Sequence, residues 1–94
     1  MYVGLLTVDC FVPGSRSLKD KRRVISALTA RLRRRFNVAV SEVEFQNQWQ
    51  RSRIALAFVN TDPVMAQKSI NRVREFFERA RDLQVLDTRS ERLG

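Results

Sequence analysis

Histidine is absent from the 94 residues of this chain, and cysteine occurs once. Without histidine the commonest general base and metal ligand is missing, and a lone cysteine builds no structural zinc site, so the composition points away from catalysis and metal binding. Cys10 has no partner for an intrachain disulfide, which suits a reducing cytoplasm, and its place inside an apolar run marks it as a buried small hydrophobe. No apolar run approaches the ~20 residues of a membrane span, and the N-terminus lacks a charged leader followed by an apolar block and cleavage site. The sequence therefore predicts a soluble, unexported protein. Its length suits one domain, residues 1–94, able to bury roughly 60 to 65% of its unfolded surface.

Acid is scarce in one place. Between Ser15 and Arg35 a single acid, Asp20, stands against nine cations: Arg16, Lys19, Lys21, Arg22, Arg23, Arg31, Arg33, Arg34 and Arg35. The other 73 residues hold nine basic and nine acidic side chains, so the formal net charge of +8 resides wholly in this segment. Concentrated like charge repels itself, and an acidic partner relieves the repulsion, so the segment reads as a polyanion-binding face. Fifteen of the 18 basic residues are arginine. A compositional bias accounts for that identity, but not for the clustering.

Residues 3 to 12 alternate as a half-buried strand, with Leu6, Val8 and Cys10 toward a core. Val12-Pro13-Gly14-Ser15 breaks it, and Ser17 with Asp20 three positions on forms a capping-box-like helix start. Leu18, Ile25, Leu28, Leu32 and Phe36 make one apolar stripe; Lys19, Arg23, Arg33 and Arg34 project away from it, while Lys21 and Arg35 fall near its flanks. Asn37 suits a left-handed residue ending the helix. Val38 to Phe45 and Arg53 to Asn60 read as strands around a polar loop, residues 46 to 52. Asp62-Pro63 opens a second helix expected to reach Arg81, with Arg74–Glu78 and Glu75–Arg79 spaced to pair locally. Leu83 to Thr88 reads as a last strand, and Arg89 to Gly94 as frayed.

The order βαββαβ predicts an α+β, ferredoxin-like fold: a four-stranded antiparallel sheet in the order 4-1-3-2, with two helices on one face. The other face would present Val3, Leu5, Thr7, Asp9 and Phe11 beside Ala55, Ala57 and Val59. It reads as a homodimer interface or as a surface covered by loops or the C-terminal tail.

The run Val12-Pro13-Gly14-Ser15-Arg16-Ser17-Leu18-Lys19-Asp20-Lys21-Arg22, with Phe36-Asn37-Val38 and Trp49-Gln50-Arg51, resembles the YlxP-like family of small bacterial proteins, a domain of unknown function. That family's run is usually P-G-x-R-S-L-K-E-K-R; here the acid is shortened to Asp20. The resemblance covers nearly the whole chain and implies a ferredoxin-like fold and a bacterial cytoplasmic protein. It also implies genes often placed near those for translation initiation and ribosome maturation, and no known reaction.

From these readings the candidate nucleic-acid-binding residues are Arg16, Lys19, Lys21, Arg22, Arg23, Arg33, Arg34, Trp49 and Arg51. The partner is RNA or a ribosomal particle, and no enzyme activity, cofactor, metal or membrane is implied. Free N–H groups at the start of the first helix, backed by Arg16, Lys19 and Lys21, form a phosphate site, or else an ordinary capped helix with snorkelling cations. Trp49, the only tryptophan, either stacks on a base, anchors a partner protein or closes one end of the core. Two kindred readings fit poorly. Met1-Tyr2-Val3-Gly4-Leu5-Leu6 looks like the strand 1 signature of RNA recognition motifs, but the third strand offers Ala55 and Ala57 where those need aromatics. Acylphosphatases share the fold, and Arg16 with Asn47 or Asn60 could take their phosphate-binding parts, yet the loop lacks the Val-Gln-Gly-Val-x-Phe-Arg pattern.

Overall fold

Strict alternation along the first strand organises the molecule. The computed structural model describes residues 1–94. In β1 (Tyr2–Phe11) every even residue is buried and every odd one half-exposed, as a pleated strand with one face on a core requires. The chain continues through α1 (Leu18–Arg35), β2 (Val38–Glu44), β3 (Arg51–Asn60), α2 (Pro63–Arg79) and β4 (Gln84–Arg92). The strands form one antiparallel sheet in the order β2-β3-β1-β4, the order read from the sequence.

Ile25, Leu28 and Leu32 of α1 and Ala66, Ile70, Val73 and Phe77 of α2 pack on Leu6, Val8, Cys10, Ile54, Leu56 and Phe58 in one apolar cluster. At roughly 25 cal/mol per Å² of buried apolar surface, this layer is the main favourable term holding the helices to the sheet. Cys10 lies inside it without exposure. Burial above all, helped by the charges of Asp9 and Glu42, pushes its thiol up to about 12, so it stays protonated at neutral pH.

Several local expectations are corrected. The residues from Arg89 on are not frayed: β4 pairs with β1 as far as Gly4↔Arg92, and Leu93 N–H donates to Val3 O at 2.7 Å. The outer edge of β1 would otherwise leave its backbone groups unpaired, which explains the tail's order. α1 does not end on a left-handed Asn37; Phe36 caps it in extended conformation, and the one non-glycine residue with positive φ is Phe45, at 64°. β3 starts at Arg51, two residues early, and α2 stops at Arg79. The Arg74–Glu78 and Glu75–Arg79 pairs do not form; Arg74 Nη2 donates instead to Ser90 Oγ, 3.0 Å away on the neighbouring strand.

Candidate nucleic-acid interface

The start of α1 is self-contained. Ser17 caps it, its hydroxyl accepting from Asp20 N–H at 3.1 Å, while the Asp20 carboxylate accepts from Arg16 N–H at 3.1 Å. The acid thus reaches one residue beyond the reciprocal partner of a strict capping box. Together they occupy the N–H groups of Arg16 and Asp20, and those of Leu18 and Lys19 take no partner. The side chains of Arg16 and Lys19 are exposed at this end, beside the N–H groups of Leu18 and Lys19.

Lys21, read from the sequence as a phosphate ligand near the flank of the apolar stripe, is wholly buried. Its ammonium donates to three carbonyls, Phe45 O at 2.6 Å, Arg51 O at 3.1 Å and Gln46 O at 3.3 Å, and lies 3.0 Å from Glu42 Oε2. Ser52 Oγ donates to the same carboxylate oxygen. A buried charge persists only when paired and fully hydrogen-bonded, and this one is. Phe45 supplies its carbonyl from a left-handed backbone that bulky residues rarely adopt. The position of Lys21 beside the apolar stripe of α1 was the signal in the sequence; the inward turn of its long side chain depended on where the β2–β3 hairpin would pass.

The latch holds that hairpin against the start of α1, and Gln50 Nε2 adds a bond to Ser15 O at 3.1 Å. At the hairpin tip Trp49 is 55% exposed, so it does not close the core. It shares a shallow hollow with Phe11, Asn47 and Gln50. Arg51 is half-buried: its guanidinium carbon lies 4.3 Å from the centre of the Phe45 ring, and its Nε is buried without a partner. That side chain braces the hairpin against the Phe45 ring.

The remaining cations of α1 keep their freedom. Arg16, Lys19, Arg22, Arg23, Arg31, Arg33, Arg34 and Arg35 are exposed, and none meets a carboxylate. Arg33 donates to Val40 O at 2.9 Å, tying one nitrogen to β2. Glu42 is spent on Lys21 and Asp87 on Arg89, so no acid of the neighbouring strands neutralises the guanidiniums of the helix.

The open face of the sheet carries a two-pronged pair at its centre. Arg53 donates to Asp9 through Nε at 2.6 Å and Nη2 at 3.1 Å, and these bonds hold the Asp9 carboxyl below its usual range against the opposing effect of burial. Tyr2 lies on the buried side, under the guanidinium of Arg92; β3 offers no aromatic on the open face, and β1 offers only Phe11, at its last position opposite Arg51. Asn60 pairs opposite Tyr2, at the far end of β3 from the loop after β1, and cannot join Arg16 in a phosphate site.

Fold and charge together define a small ferredoxin-like α+β domain with one basic helix and an exposed tryptophan hairpin. The chain belongs to the family described as a protein of unknown function (DUF503), whose model matches residues 3–90. It is 32% identical over 89 residues to the uncharacterized protein YlxP of Bacillus subtilis (strain 168), a match that covers 95% of this chain and 97% of that protein. No helix is long and apolar enough to cross a membrane.

Proposed function

We propose that this protein is a non-enzymatic RNA-binding accessory factor that acts on ribosomal particles, gripping phosphates with the exposed cations of α1 and stacking a base on Trp49. One observation carries the reading: a mostly exposed tryptophan is latched, through Lys21 and Gln50, to the end of the helix that holds the unneutralised charge. Stacking on an aromatic ring and charge contact with the backbone are the two halves of single-stranded nucleic-acid binding. Arg16, Lys19, Arg22, Arg23 and Arg34 are the phosphate ligands, with Arg33 in a lesser part; Lys21 and Arg51 act as struts. The test is titration of the protein with labelled ribosomal RNA fragments and with purified particles. Changing Arg22, Arg23 and Arg34 to Glu should abolish binding while leaving the fold intact. Unchanged binding by that variant would sink the proposal.

A second reading has its own support. The open sheet face exposes Val43, Ala57 and Val59 beside a hollow where Asp9, Asp87 and Glu91 face Arg53 and Arg89. A nearly charge-balanced surface on a strongly basic molecule is where a second copy docks with least repulsion. Concentration-dependent sedimentation separates this homodimer, which leaves α1 outward, from a monomer.

A further inference from the structure

A cleft between the last turns of α1 and the second half of α2 gathers charge of its own. Arg31 and Arg35 line it from one helix and Arg72 and Arg79 from the other, over a floor that includes Phe36 and Phe76, with Glu75 as the one carboxylate. Spacings of four and seven residues put each arginine pair on one face of its helix. The two rings meet edge-on, centres 6.0 Å apart. The Arg31 guanidinium lies 5.6 Å from the Phe76 centre, and that of Arg35 lies 5.5 Å from both rings.

A guanidinium resting on a ring has one flat side engaged, while its N–H fork points outward in its own plane, the geometry that grips an oxyanion with two bonds. Helix dipoles account for Arg35 and Arg79, which stand in last turns. Arg31 and Arg72 stand before the last turns, exposed like the other two, and neither meets a carboxylate, Glu75 included. Four like charges around about 280 Å³ repel one another unless an anion joins them. That volume falls just under the ~300 Å³ at which drug-sized pockets begin, so the occupant is compact. The lining offers four cations for a phosphate chain and no amide or hydroxyl side chain to read a base.

We infer that this cleft is an oligophosphate site, reading the phosphate chain of a small, multiply charged anion and nothing beyond it. It lies at the far end of α1 from the Trp49 hairpin, the helix spanning about 27 Å at 1.5 Å per residue, and is lined by Arg31 and Arg35 rather than by Arg16, Lys19, Arg22 and Arg23; Arg33 and Arg34 stand in the same last turn as Arg35.

Calorimetric titration of the full chain with tripolyphosphate tests it. The wild type should bind one equivalent, and Arg35→Ala combined with Arg72→Ala should weaken binding by roughly tenfold or more per guanidinium lost. Arg22→Ala with Arg23→Ala should leave it unchanged, so loss of the RNA reading and loss of this one remain distinct results. A nucleoside triphosphate should bind as tightly as tripolyphosphate, and orthophosphate far more weakly. Absence of heat with the wild type, loss that follows Arg22 and Arg23, or a nucleoside triphosphate that binds where tripolyphosphate does not would each overturn the inference. Arg72 is exposed, so Arg72→Ala alone guards against misfolding of the double variant, and full affinity in it would also refute the site.

Discussion

Lys21 carries its charge with no exposure to solvent, inside a ring of three carbonyls and one carboxylate. Removing one member of a buried pair strands the other, at about 3 to 5 kcal/mol. Lys21→Met should therefore lower the unfolding free energy by about that much in urea titration, and Glu42→Gln added to it should recover part. Arg22→Met, on the surface, should stay within about 0.5 kcal/mol of wild type. Asp9 gives a pH signature. Its carboxyl sits below the ordinary value of 3.8, chiefly because Arg53 hydrogen-bonds to it, so the native state binds that proton less readily than the unfolded chain does. Its contribution is complete above the ordinary carboxylate range and vanishes as pH falls through the lower native value. Thermal scans from about pH 5 down to about pH 2 should show a steeper loss for wild type than for Asp9→Asn; equal slopes would mean that the pair adds nothing.

At the scale of elements, periodicity made most of the fold legible, because burial on one side leaves a repeat of two in strands and three to four in helices. The ends of elements were less legible. β4 outruns its β-rich residues because the bare edge of β1 recruits the polar tail, and α1 ends without a left-handed residue because Phe36 turns directly into β2. The hairpin of β2 and β3 joins fold to proposed function, since it carries Trp49 into solvent. Trp49→Ala should weaken RNA binding by about 1 to 3 kcal/mol, the usual worth of one stacked base, with stability unchanged, as measured by fluorescence anisotropy and thermal melting. A loss of stability instead would make the ring a packing residue after all.

For the whole molecule, the relevant quantity is the field of +8 unit charges on a body 42 Å long and about 20 Å across. Five free phosphate ligands imply a dependence on ionic strength: log K should fall by about 3.5 per log unit of salt, from roughly 0.7 per phosphate on single-stranded RNA. Binding indifferent to salt would exclude a phosphate-led mechanism. The candidate site was partly legible at this scale, since a segment with nine cations and one acid is visible in the chain alone. The division of labour among those cations was not.

The sequence by itself determined the order of the elements, the apolar stripes and the place where charge concentrates, because each is a property of neighbouring residues. Tertiary structure alone decided that Lys21 turns inward, that Trp49 stays outside, and that Arg31 and Arg35 meet Arg72 and Arg79 across a cleft. Those outcomes depend on which distant backbone passes within reach of a side chain, and no local pattern encodes that distance.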